Sequence, residues 1–131
     1  MSQLSTEDRL AIMDVMARYC RAIDLGRWDE FETLFTEDCR LDFGAAMGAF
    51  EGPAGVRRFV ETMRGLGLFM RHYTTNVILE GDGTRVRAEA YVLAMTGPAD
   101  GRLTTTGRYE DEWVKSGGRW LIRVRRALLD H

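Results

Sequence analysis

Apolar residues recur with the period of a helix along the first half of the chain and with the period of a strand along the second. At 100° per residue, Leu10, Met13, Ala17 and Cys20 share one face. Ile12, Met16 and Ile23 widen that face, while Asp14, Arg18 and Arg21 lie opposite. Ser5 or Thr6 can cap the start, and Glu7 and Asp8 suit the positive end of the dipole. The spacing predicts a helix from about 6 to 24, ended by Gly26. Trp28, Phe31, Leu34 and Phe35 predict a second, short helix over 28–35. "RLDF" at 40–43 predicts a short strand, and 44–52 a turn and another short strand. Pro53 opens a third helix carrying Val56, Phe59, Val60 and Met63, which Gly65 and Gly67 terminate.

Beyond residue 67 the chain turns β-branched and aromatic. Four long segments follow, separated by "GDGT" at 81–84, by a longer loop at 96–102 and by "SGG" at 116–118. They predict a four-stranded antiparallel meander. Helices first and strands after them imply an α+β fold, with the helices covering one face of a curved antiparallel sheet. Such a bent sheet leaves a pocket at its open end, where a small apolar molecule would sit. A chain of 131 residues suits one domain, taken as 1–131.

Composition narrows the function classes. The net charge is −2, and no basic field suggests a nucleic-acid partner. Lys115 is the only lysine, so arginine carries nearly all the positive charge. No segment approaches the ~18 apolar residues of a membrane span. The N-terminal "MSQLSTEDRL" lacks the layout of a signal peptide, which makes a cytoplasmic protein the expectation. Cys20 and Cys39 form no ligand pattern and read as buried thiols. Two histidines, one of them terminal, do not make a metal set, so neither metal nor cofactor is expected.

Candidate chemistry starts at Asp24, which prolongs the apolar face of the first helix. A carboxylate at the negative end of a helix dipole is unfavourable, and partial burial adds a desolvation cost. A frayed end facing water is the simple alternative; a buried Asp24 needs a partner. His72, the only internal histidine, is the natural one, although a backbone-bonded strand histidine is equally ordinary. Paired, the carboxylate would fix the tautomer and balance the imidazolium, making a working base.

"RYCRAIDLGRWDEFETLFTEDC", "FEGPAGVRRFV", "RHYTTNVILEGDG" and "TTGRYEDEWVKSGGRWLIRVRR" together resemble the SnoaL-like family of the nuclear transport factor 2-like superfamily, over roughly 8–128. The resemblance implies a cone: three helices around a strongly curved antiparallel sheet with a deep apolar pocket. It implies that Asp24 and His72 form the acid–base dyad found in dehydratase and dehydrochlorinase members, and that Tyr19 faces the pocket. It also favours Arg125 among Arg123, Arg125 and Arg126 as the guanidinium that stabilises an anion or leaving group, unless a bulge changes the strand's parity. Homodimers or homotrimers are implied as well, consistent with Trp, Tyr and Leu expected on the outer sheet face.

Phe43, Phe59 and Met95 are expected in the pocket wall, and Asn76, sharing parity with His72, is expected to orient a substrate oxygen. Tyr109 and Trp113 read as packing or interface residues. The function expected is a small cofactor-independent lyase or isomerase, dehydratase-like, acting on a cyclic, steroid-like or polyketide-like molecule. The alternative is a non-catalytic ligand-binding or assembly subunit, like the small subunit of a ring-hydroxylating dioxygenase.

Overall fold

The computed structural model describes residues 3–97 and 103–130. Residues 98–102, most of the expected long loop, lie outside the described residues, as do 1, 2 and 131.

Helix α1 (Thr6–Leu25) starts at Ser5, whose side chain accepts from the Asp8 N–H. It stops at Gly26, which takes the left-handed conformation, φ 68°. There the Arg27 N–H donates back to the Ala22 carbonyl at 2.7 Å. Its buried side is Ile12, Met16, Tyr19, Cys20, Ala22 and Ile23. Leu10 and Met13, the middle of the expected face, are 62% and 46% exposed. The helix carries two adjoining apolar stripes, and periodicity alone does not choose which one faces the core.

Helix α2 (Trp28–Glu32) is only a single turn or so. The expected helix over 28–35 ends early because Phe35 already pairs with Ile122 in a sheet. Strands β1 (Phe35–Asp42) and β2 (Ala49–Glu51) form a hairpin. Helix α3 (Gly52–Leu66) follows, with proline in its first turn. Then come β3 (Phe69–Gly81), β4 (Arg85–Gly97), β5 (Leu103–Ser116) and β6 (Arg119–Leu129), the expected meander.

The sheet has six strands in the order β2-β1-β6-β5-β4-β3. It is mixed, which corrects the expectation of a purely antiparallel sheet: β1 runs parallel to β6. No hairpin joins those two strands, so nothing local obliges them to oppose each other. The α+β class stands, with an open sheet and its helices packed on one face.

Along β4, Val86, Ala88, Ala90 and Val92 point inward and alternate with exposed residues. Phe31, Leu41, Trp113 and Ile122 are fully buried between helices and sheet. The outer face carries Tyr73, Tyr91 and Leu93 exposed. It carries no tryptophan, contrary to expectation, since Trp113 and Trp120 point inward and Trp28 packs half-buried against the core. Among the described residues no helix is long and apolar enough to cross a membrane.

Candidate active site

The last turn of α1 crosses the free edge of β3, and this crossing makes the site. Asp24 accepts two hydrogen bonds from His72. The His72 backbone N–H donates to Oδ2 at 2.8 Å, and ring Nδ1 meets Oδ1 at 2.6 Å. One carboxylate thus caps an unpaired edge-strand donor and orients the imidazole on the same residue. Their side chains are 8% and 14% exposed. Nδ1 donating to the carboxylate leaves Nε2 as the acceptor nitrogen of a neutral ring. One turn earlier, Cys20 Sγ lies 3.3 Å from Thr74 Oγ1, a second tie between helix and edge strand.

His72 is a wall between two spaces. On one side is an apolar cavity of ≈ 230 Å³ between helices and sheet, which Tyr19, Phe43, Phe59, Met70, Ala94 and Tyr109 help to line. On the other is an outer groove of ≈ 470 Å³ between α1 and β3, which Asp24 lines together with the exposed Met13, Leu25 and Tyr73. Asp24 therefore supports the imidazole from behind, while Tyr19 shares the inner cavity with it. The helical wheel puts Tyr19 and Asp24 on different sides of α1, and the two accordingly lie on opposite sides of His72.

Stacked rings stiffen the inner wall. Phe43 lies parallel to Phe59 at 5.1 Å, Phe59 to Phe31 at 5.3 Å, and Phe31 leans on Tyr19 at 5.3 Å. Behind Tyr19 and Tyr109 sits Arg125, its guanidinium carbon 4.4 and 3.9 Å from the two ring centroids. Arg125 is fully buried and makes a forked pair with Asp111, Nε to Oδ1 at 2.9 Å and Nη2 to Oδ2 at 2.8 Å. Trp113 Nε1 donates to the same Asp111 at 3.2 Å. Arg125 Nη1 is buried with no hydrogen-bond partner among the described residues.

Burial pushes the Tyr19 phenol up to about 12, with the Arg125 charge opposing it. Burial also raises Tyr109 well above its ordinary value. For Arg125, burial works against the charge, but Asp111 outweighs it and holds the guanidinium protonated. Cys20 and Cys39 are free thiols, both raised chiefly by burial.

Four expected site residues, Tyr19, His72, Phe43 and Phe59, line the inner cavity, and Asp24 backs His72. Three do not. Arg125 turns inward as expected but is sealed behind the two tyrosine rings and reaches no cavity surface. Its orientation comes from a bulge: Trp113 pairs with Ile122 and Glu112 with Val124, which leaves Arg123 unpaired and flips the parity of β6. Arg123 and Arg126 form surface ion pairs with Asp38 and Glu110. Asn76 is exposed at positive φ, 55°, in a bulge between Thr75 and Ile78, so it does not share the inward parity of His72. Met95 faces outward from β4, and its neighbours Ala94 and Thr96 take the cavity positions. Tyr109 was missed as a wall residue. The alternation of Tyr109, Asp111 and Trp113 signals a common face, but not that this face ends at a cavity.

The model of the SnoaL-like domain matches residues 5–126. Several solved structures from Novosphingobium aromaticivorans share the fold closely. A candidate aromatic ring hydroxylase is 32% identical, with 98% of this chain and 93% of that one covered and a TM-score of 0.84. A candidate scytalone dehydratase is 25% identical over 95% of this chain and 85% of that one, TM-score 0.80. The β subunit of a candidate aromatic-ring-hydroxylating dioxygenase is 25% identical over 92% and 88%, TM-score 0.77.

Proposed function

The chain belongs to the SnoaL-like family, and we propose that it is a cofactor-independent lyase or isomerase in which His72 is the base. The observation that carries this reading is the 2.6 Å contact between His72 Nδ1 and Asp24 at the wall of the apolar cavity. In this mechanism Nε2 takes a proton from a carbon of the substrate. The imidazolium that forms is balanced by Asp24, which is already in place and needs no reorganisation. Tyr19, kept protonated by burial, donates a hydrogen bond to the oxygen that gains charge or leaves. In a dehydration the same imidazolium returns its proton to the departing hydroxide; in an isomerisation it returns it to another carbon. Likeness to the candidate scytalone dehydratase supports a dehydration.

The test is a panel of cyclic β-hydroxy ketones and enolisable ketones incubated in D₂O and followed by NMR for loss of water or deuterium uptake at carbon. His72→Ala is expected to lower the rate by about 10²–10⁴ while leaving the far-UV spectrum unchanged. Asp24→Asn should fall in the same direction, because the amide can stabilise the wrong tautomer. Full activity of His72→Ala on a turned-over substrate would sink the mechanism.

A second reading is a non-catalytic subunit of a larger assembly, favoured by the likeness to the dioxygenase β subunit. It expects no turnover from the isolated chain and no effect of either substitution on assembly.

A further inference from the structure

We infer that the inner cavity takes a neutral molecule of one or two rings bearing a hydroxyl or carbonyl oxygen, and rejects carboxylates and larger fused systems. This rests on His72 being the base and narrows what that base acts on.

Size comes first. The cavity holds ≈ 230 Å³. An apolar protein cavity of about 150 Å³ is filled by benzene, so two fused rings fill this one. Leu66, Leu68 and Leu129 line it while remaining 53%, 45% and 43% exposed, which marks them as its mouth. A four-ring molecule would have to project between them into solvent, so the steroid-like expectation is narrowed to smaller frameworks.

Charge comes second. Among the described residues, no lysine, arginine, aspartate or glutamate lines the cavity. Arg125 is the nearest buried cation, but it lies behind the Tyr19 and Tyr109 rings with Nε and Nη2 spent on Asp111. The imidazolium is already balanced by Asp24 from the outer groove. A carboxylate entering here would lose its water with no cation to meet it, which is costly.

Polar handles come third. Tyr19, Tyr109, Thr96, Thr105 and His72 are the hydrogen-bonding side chains of the lining, all of them able to serve an uncharged oxygen. The outer groove between α1 and β3 is also largely apolar, but Arg21, Asp24 and Arg71 line it. The groove on the outer sheet face is lined by Glu80, Arg87, Glu110 and Arg126 and suits no apolar ligand.

Methionine methyl groups give the readout. Met47, Met63 and Met70 line the cavity, whereas Met13 lines the outer groove and Met95 faces outward. The protein labelled with ¹³C-methyl methionine is titrated with 2-naphthol, with 2-naphthoate and with 1-hydroxypyrene. 2-Naphthol is expected to shift Met47, Met63 and Met70 saturably and to leave Met13 and Met95 in place. 2-Naphthoate, with the same rings and a carboxylate, should bind at least about ten-fold more weakly. 1-Hydroxypyrene, with four fused rings, should leave Met70 unmoved. Thr105→Lys should narrow or reverse the preference between the two naphthalenes. Equal affinity for naphthol and naphthoate, a Met70 shift with the pyrene, or binding of none of the three overturns the inference. Binding needs no turnover, so these outcomes stay separate from the base's own test, which fails only when His72→Ala and the parent react alike.

Discussion

Asp24 does two jobs with two oxygens, and its place follows from chain geometry. It sits two residues before the left-handed Gly26, where the helix exposes its carbonyl end and a carboxylate is disfavoured. The edge-strand N–H and the imidazole offset that cost. Arg125 and Asp111 form a buried charge pair, with side chains 0% and 1% exposed. Arg125→Met should destabilise the fold by about 3–5 kcal/mol, because Asp111 would remain buried without its cation. Arg125→Met combined with Asp111→Leu should recover most of that loss, as read from denaturant midpoints. Tyr19 makes a pH prediction with a definite sign. Its phenol ionises at 10.0 in the unfolded chain and at about 12 in the fold. Its stabilising contribution is therefore whole below pH 10 and is lost as pH rises towards 12, about 2–3 kcal/mol in all. Denaturant midpoints should fall across that window, and Tyr19→Phe should flatten the fall.

At the level of elements, the cavity depends on how closely α3 approaches the hairpin before it. A Cβ placed on Gly55 would lie 2.8 Å from the Phe50 carbonyl carbon, which is backbone and cannot yield cheaply. Gly55→Ala should push α3 away, and with it Phe59 and Met63 of the cavity wall. The expected cost is about 1–3 kcal/mol, together with a weaker and less selective ligand response. Thermal unfolding and the methionine titration check the two parts separately. The bulges act at the same scale. The one beside Arg123 turns Arg125 inward, and the one at Asn76 interrupts the free edge of β3 just beyond the dyad. A broken, twisted edge resists pairing with another chain.

Over the whole molecule, the sheet is completed by its longest-range pairing. Phe35 meets Ile122, and Leu41 meets Arg125, so β1 cannot dock until β6 has formed. Such non-local closure predicts slow folding, on the order of milliseconds to seconds, followed by the fluorescence of the buried Trp113 and Trp120. Refolding in microseconds would contradict it. The helices, the four-strand meander and the α+β class were legible in the sequence, because periodicity and turn residues act over a few positions. Asp24 stood out as a carboxylate on an apolar face and His72 as the only internal histidine to partner it, and the family resemblance implied that the two meet. Three things were decided only by tertiary structure. The parallel pairing of β1 with β6 joins segments that no turn connects. The facing of Arg125, Asn76 and Met95 depends on bulges and on where the sheet meets the cavity. The stripe of α1 that is buried depends on where β3 lies. A chain encodes period locally, but parity and pairing are settled by distant strands that compete for the same backbone groups.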